Sequence, residues 1–188
     1  MFPDLKPDQA SILEAHYSLL LKWNKTLNLT RIDTLEEALE RHYGESLFLA
    51  SRLTEGSVAD IGSGAGFPGF VVAVARPECS VTLIEAHQRK AVFLKEVSRH
   101  VRNVRVIAKR AADVRETFDW AISRAVSYDD LGTVLPRLAK RVALLTGAEE
   151  PPEEWGFTWD VFPLPSGRQR YLRVSRETNG SVSRETEA

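Results

Sequence analysis

The chain has 188 residues and a formal net charge of -1, with 43% hydrophobic and 27% charged side chains. That length and composition suit one domain with a buried core and exclude wholesale disorder. The single cysteine, Cys79, excludes an internal disulfide framework and a multi-cysteine zinc site.

Met1-Phe2-Pro3-Asp4 lacks the basic and apolar regions of a secretory signal. No apolar run nears the ~20 residues of a membrane span, so a soluble, cytoplasmic protein is expected. The first 55 residues read as a helical extension. Pro7 suits a first helical turn, and Ile12, His16, Leu19, Leu20, Trp23 and Leu27 follow at spacings of three and four. Thr34, with Glu37 three residues on, predicts the cap of a second helix that runs toward Gly56.

From Gly56 the pattern changes to short β-branched runs between helical stretches. Strands are predicted at 58–61, 80–84, 104–107, 120–123 and 142–145, with helices at 70–76, 88–100 and 128–139. This alternation predicts a mostly parallel sheet. Residues 157–162 and 171–174 read as a closing antiparallel pair, and the polar tail 177–188 as disordered. The predicted organisation is therefore an extension over 1–55, an α/β domain over 56–176 and the tail. Val174-Ser-Arg-Glu-Thr178 recurs as Val182-Ser-Arg-Glu-Thr186. Back-translated as GTT-TCA-CGT-GAA-AC, the repeat spells a palindrome, so selection on the gene is one reading; codons that break both copies would refute it.

The net charge hides an uneven distribution. Residues 1–60 carry -4, 148–160 carry -5, and 87–115 carry +7 from Arg89, Lys90, Lys95, Arg99, Arg102, Arg105, Lys109, Arg110 and Arg115 against Glu96 and Asp113. Such a segment suits either a solvated surface or a polyanion such as nucleic acid.

The strongest chemical signal is Asp60-Ile-Gly62-Ser63-Gly64-Ala-Gly66-Phe67-Pro-Gly69, placed between a predicted strand and helix. Glycines there let a ligand approach the backbone and expose helix N-terminal amides. Glu85 closes the next strand, where a carboxylate can accept both hydroxyls of a ribose. Gly64-x-Gly66-x-x-Gly69 satisfies a dinucleotide fingerprint and leaves NAD as an alternative. Asp60 two positions before the first glycine favours motif I of S-adenosylmethionine (AdoMet) methyltransferases, with Asp60, Gly62, Ser63, Gly64, Gly66 and Phe67 at the cofactor.

The acceptor is narrowed by what the sequence lacks. No Asn/Asp-Pro-Pro-Tyr motif serves an exocyclic amine, and Cys79 sits in a turn away from the strand ends where a pyrimidine-attacking thiolate would stand. An acceptor that needs no deprotonation remains, and guanine N7 fits. The histidines show no metal-ligand spacing, so no metal is assigned. Arg124, at a predicted strand's C-terminal end, lies where open α/β sheets bind ligands.

The glycine loop, with its Phe67-Pro68-Gly69 ending, resembles the ribosomal small-subunit methyltransferase G family, also called glucose-inhibited division protein B. Trp23-Asn24-x-x-x-Asn28-Leu29-Thr30, Arg41-His42-x-x-Glu45-Ser46-Leu47, Arg89-Lys90-x-x-Phe93-Leu94, Arg110-Ala111-Ala112-Asp113 and Ser123-Arg124-Ala125 extend the match over about residues 10–175. The resemblance implies a Rossmann-like class I AdoMet-dependent methyltransferase sheet with an N-terminal helical extension. It also implies N7-methylation of a guanine in a decoding-region loop of 16S rRNA. By position, Gly62 and Phe67 would line the methionine side, Glu85 the ribose and Ala111-Ala112 the adenine, with Arg124 at the target base. The partner implied is 16S rRNA or the small ribosomal subunit, met by the +7 segment, Lys22, Lys25, Arg31, Arg168, Arg170 and Arg173; a monomer is expected. Glu45, Ala112 and Thr146 depart from the family pattern, which leaves an AdoMet-binding, RNA-docking module with little turnover as the alternative reading.

Overall fold

The computed structural model describes residues 5–32, 34–165, 167 and 169–176. The tail 177–188, Arg168 and the second copy of the pentapeptide repeat lie outside the described residues.

Helix α1 (Pro7–Leu27) starts where Pro7 sets it. Its first turn is closed by the Lys6 backbone N–H donating to Gln9 Oε1 at 2.8 Å, and Asn28 ends it at φ 47°. Thr34 caps α2 (Leu35–Glu37), accepting the Glu37 N–H. The helix then widens into a π-helical stretch, Ala38–Gly44, before α3 (Glu45–Ala50). It stops six residues short of Gly56 because the Arg76 guanidinium satisfies the Ala50 and Leu53 carbonyls, each at 2.7 Å.

Seven strands follow: β1 (Ser57–Ile61), β2 (Ser80–Ile84), β3 (Val104–Ile107), β4 (Phe118–Arg124), β5 (Ala139–Thr146), β6 (Trp159–Pro163) and β7 (Tyr171–Ser175). They form one sheet in the order β3-β2-β1-β4-β5-β7-β6, parallel except for β7, which runs antiparallel to both β5 and β6. Helices α4 (Gly69–Ala75), α5 (Gln88–Val97), α6 (Tyr128–Gly132) and α7 (Leu135–Leu138) connect them. The predicted single helix over 128–139 is two, because Pro136 has no N–H to continue a helix.

Each strand alternates between two cores. Val58, Trp120 and Ile122 face Leu13, Leu20, Leu49, Phe70 and Phe93, so α1 and α3 share a core with α4 and α5. Ala59, Ala121 and Leu144 face Leu135, Leu138 and Trp155. Strand β1 lies between β2, in register Ile61–Ile84, and β4, in register Ile61–Ser123. The order therefore reverses at β1, and the crevice beyond the β1 and β4 carboxyl ends is where such sheets bind ligands. The glycine loop and Arg124 meet there.

Candidate active site

The loop from β1 to α4 turns on itself through positive φ at Gly62 (71°), Gly64 (54°) and Gly66 (89°). Most of its amides are spent within the protein. Gly62 and Ser63 donate to the Ile84 carbonyl, Gly64 to Glu85 Oε2, Gly66 and Phe67 to the Ser63 carbonyl, Gly69 to Asp60 Oδ2 and Phe70 to the Gly66 carbonyl. The helix N-terminus expected to present free N–H groups is thus closed by Asp60 and by the loop itself. A Cβ on Gly69 would come within 2.5 Å of Asp60 Cβ and Oδ2, which is why this position holds no side chain.

Asp60 is fully buried, and its second carboxylate oxygen, Oδ1, has no hydrogen-bond partner among the described residues. Burial pushes its carboxyl up to about 7, against the hydrogen bonds from Ser63 and Gly69. Glu85 is 8% exposed; Oε2 accepts from Gly64 and Oε1 from the His87 N–H at 2.7 Å, so the carboxylate is fixed while lone pairs remain. Ala111 and Ala112 lie on a single 3₁₀ turn, Ala111–Asp113. Its carbonyls are gathered by Arg137, at 2.8 Å to Ala112 O and 3.3 Å to Ala111 O.

Phe67 is 3% exposed and sits among rings: His42 stacks on it at 4.5 Å, Tyr43 and His16 meet it edge-on at 5.1 and 5.2 Å, and the Arg124 guanidinium lies 5.3 Å from its centroid. Arg124 also donates to the Arg41 carbonyl at 3.1 Å. Burial lowers its pKa to about 10, with Glu45 opposing and Arg170 and Arg41 reinforcing. Glu45, 1% exposed, takes a bidentate pair from Arg170 at 2.7 and 2.6 Å. Burial and the neighbouring Arg124 and Arg41 lower His42 to about 3, so it is neutral, with Nε2 at 2.7 Å from Thr30 Oγ1. Two buried atoms at this mouth, Arg41 Nε and His42 Nδ1, have no hydrogen-bond partner among the described residues.

Several sequence expectations are sharpened. Trp23 packs edge-on against Phe93 at 5.9 Å, a core contact. Asn24 brackets the loop after α1, exchanging hydrogen bonds with the backbone of Thr30. Cys79 is 1% exposed at the start of β2, far along the sheet from the loop end, and burial pushes its thiol up. Arg173, expected to face RNA, is 3% exposed and binds Thr146 Oγ1 and the Gly147 and Ala148 carbonyls, because the end of β5 leaves those acceptors bare. Nor do the charges of 87–115 form one face. Arg89, Lys90, Lys109 and Arg110 flank the carboxyl ends of β2 and β3, whereas Arg102 and Arg115 precede β3 and β4 at the other end. Sequence reasoning passed over His16 and Arg137. The signal for His16 was its place in the buried stripe of α1 with Leu13 and Leu20; Arg137 gave none.

Residues 9–146 match the family model described as GidB, rRNA small subunit methyltransferase G. The chain belongs to this family. Members named ribosomal RNA small subunit methyltransferase G include one from Mycoplasma capricolum, 37% identical over 72% of this chain and 63% of its own length. Another, from Methylobacillus flagellatus, is 39% identical over 71% of this chain and 67% of its own. The chain thus matches somewhat under, or about, two thirds of these relatives' lengths. Among solved structures, a SAM-dependent methyltransferase from Aquifex aeolicus superposes with TM-score 0.60 at 17% identity, covering 92% of this chain and all (100%) of that one. The Burkholderia thailandensis 1,6-didemethyltoxoflavin-N1-methyltransferase, solved with S-adenosylhomocysteine, gives TM-score 0.58 at 18% identity over 94% of this chain and 92% of its own. The fold of this GidB-family chain is accordingly the Rossmann-like class I methyltransferase sheet. No helix among the described residues is long and apolar enough to cross a membrane, and no group of metal-ligating side chains occurs among them.

Proposed function

We propose that the chain transfers a methyl group from S-adenosylmethionine to N7 of a guanine in 16S rRNA. The observation that carries this reading is the β1–α4 loop, which spends all but one of its amides on internal acceptors while keeping Asp60 Oδ1 buried and unpartnered among the described residues. A dinucleotide pyrophosphate needs free N–H groups at this point; an amino acid needs a carboxylate and a cation. Asp60 would hold the ammonium end and Arg124 the carboxylate end of the methionine moiety, beside Gly62, Ser63, Gly64, Gly66 and Phe67. Glu85 would take the ribose hydroxyls, and Ala111 and Ala112 would flank the adenine. In this reading 1–55 is a helical extension and 56–176 the methyltransferase domain.

Bound S-adenosylmethionine supplies an electrophilic methyl group. Guanine N7 has a free lone pair and no proton to lose, so the chain needs no general base and contributes by holding the acceptor in line. The cationic side chains at the mouth, Arg41, Arg124 and Arg170, would orient the target nucleotide. Lys22, Lys25, Arg31, Arg89, Lys90, Lys109 and Arg110, all exposed except the half-buried Lys90, would meet the RNA backbone. The test is methyl transfer from labelled S-adenosylmethionine to 16S rRNA and to small subunits, followed by mass mapping of nuclease fragments. One N7-methylguanosine is expected. Binding of NAD without S-adenosylmethionine, or methyl on another atom, overturns the reading. S-adenosylmethionine binding without transfer, and unchanged rRNA in a deletion strain, would favour the RNA-docking module.

A further inference from the structure

His16 lies on α1, 49 residues before the glycine loop, yet it touches that loop directly. Its Nε2 is 2.9 Å from the Ala65 carbonyl and its Nδ1 is 2.7 Å from the Tyr43 hydroxyl. A carbonyl only accepts, so Nε2 carries the proton; Nδ1 therefore accepts from the Tyr43 O–H. Both nitrogens of a neutral ring are satisfied, and one tautomer is selected. The ring stacks on Phe70 at 4.8 Å, meets Phe67 edge-on, and is 2% exposed. A Cβ on Gly66 would lie 3.2 Å from Nε2, so ring and loop have been fitted to one another.

We propose that His16 is a positioning residue for the cofactor: α1 reaches across the fold to hold the Gly64–Gly66 turn by the Ala65 carbonyl, and Tyr43 locks the imidazole that does so. The inference rests on the S-adenosylmethionine reading of the loop. It follows from where the loop's bonds go. The amides of Gly62, Ser63, Gly64, Gly66, Phe67 and Gly69 are tied to the loop, β2, Asp60 or Glu85; the Ala65 carbonyl is tied outside the sheet domain, by His16. Rotation of that peptide would move Gly64 and Gly66 together and change the backbone that the methionine moiety lies against. The helical extension is then part of the cofactor site as well as a surface for the substrate. Coupling runs further through Tyr43, whose ring touches Phe67 and whose π-helical stretch carries Arg41 and His42. The extension thereby fixes the loop and the mouth with one hydrogen-bonded pair.

Three variants separate positioning from bulk packing. His16→Phe keeps the ring volume and loses the donor. His16→Gln restores a donor from a flexible chain. Tyr43→Phe removes only the lock. Calorimetry with S-adenosylmethionine alone needs no RNA and reads the site directly. His16→Phe is expected to bind about tenfold more weakly, the worth of one buried hydrogen bond; His16→Gln is expected to recover most of the loss, and Tyr43→Phe to lose about threefold. In turnover, KM for S-adenosylmethionine should rise while KM for RNA stays fixed, a split that general destabilisation does not produce. ¹⁵N spectra of the wild-type imidazole should show the Nε2–H tautomer. Unchanged affinity in a folded His16→Phe, or an Nδ1–H tautomer in the wild type, overturns the proposal. Should His16→Phe not fold, His16→Gln and Tyr43→Phe decide it: wild-type affinity in both overturns it. Wild-type protein that does not bind S-adenosylmethionine at all would instead bring down the reading on which the inference rests.

Discussion

The glycine loop and the arginine-lined mouth beside it share Phe67 as a wall, yet they keep their polar groups in opposite ways. In the loop, most donors meet acceptors within a few residues or across one strand, and among the described residues Asp60 Oδ1 is the one buried side-chain atom left over. At the mouth, Arg170 pairs with one buried carboxylate, Glu45, Arg124 lies in its field, Arg41 turns to Glu37, and two buried nitrogens are left over among the described residues. A preassembled loop needs no rearrangement to receive a ligand of fixed shape, which is what a cofactor is. The mouth holds polar capacity that the free protein does not use, and that suits a substrate whose own groups complete it.

The largest effect should fall on the loop. A Cβ on Gly64 would meet only the Gly62 carbonyl, at 3.7 Å, and φ 54° is a conformation that Asp tolerates. Gly64→Asp therefore leaves the sheet intact, with Tm lowered by about 3 °C at most. It sets a second carboxylate beside Glu85, whose Oε2 accepts the Gly64 N–H at 2.9 Å. S-adenosylmethionine affinity should drop on the order of a hundredfold, about 3 kcal/mol, by calorimetry. Retained affinity would show that the preassembled loop is not where the cofactor lies.

Glu45→Gln addresses the mouth, and there the effect should appear first in stability. Removing one partner of a buried pair leaves uncompensated charge; with Arg170 26% exposed, the cost should be about 2 kcal/mol, or roughly 6 °C in Tm. Cofactor affinity should change less than in Gly64→Asp. An equal loss of affinity would mean that loop and mouth are one unit. Arg137→Ala is smaller. It frees the Ala111, Ala112 and Val114 carbonyls and should cost about 1 kcal/mol of stability and roughly fivefold in affinity. Unchanged affinity would place the 3₁₀ turn outside the adenine site.

The loop was far easier to read in the sequence than the mouth. Asp60, the alternating glycines and Glu85 fall within 26 residues, and the spacing of two strands brings them together by local rules. All seven strands were legible because β-branched runs and helical stretches alternate in step with the chain. The mouth is assembled from the π-helical stretch, α3, β4 and the loop before β7, and no local rule pairs Glu45 with a residue 125 positions away. Arg173 shows the limit from the other side: in sequence it follows Arg168 and Arg170 like another surface cation, and only the bare end of β5 draws it inward. His16 looked like an ordinary member of a helical stripe, because its partner carbonyl belongs to the backbone and has no signature in residue type.

Protonation offers a last and gentler way to compare the regions, since each holds a shifted group. In the folded chain burial lowers His16 to about 4 and His42 to about 3, from 6.5. Below pH 6.5 the unfolded chain therefore takes up two protons that the folded chain refuses, and stability falls as pH drops. Asp60 acts in the opposite sense: raised to about 7 from 3.8, it holds a proton in the fold that the unfolded chain has released. Between about pH 5 and 6.5 these three groups put two protons on the unfolded state and one on the folded state, so stability should decline by roughly 1 kcal/mol per pH unit. Urea unfolding across that window measures it. Asp60→Asn removes the opposing group and should roughly double the slope; His16→Phe removes one of the two histidines and should flatten it. His42→Phe should flatten it equally if mouth and loop titrate independently. An unequal result would mean that the charge of Arg124, which touches both regions, couples them, and the division between a finished loop and an unfinished mouth would then hold for geometry but not for charge.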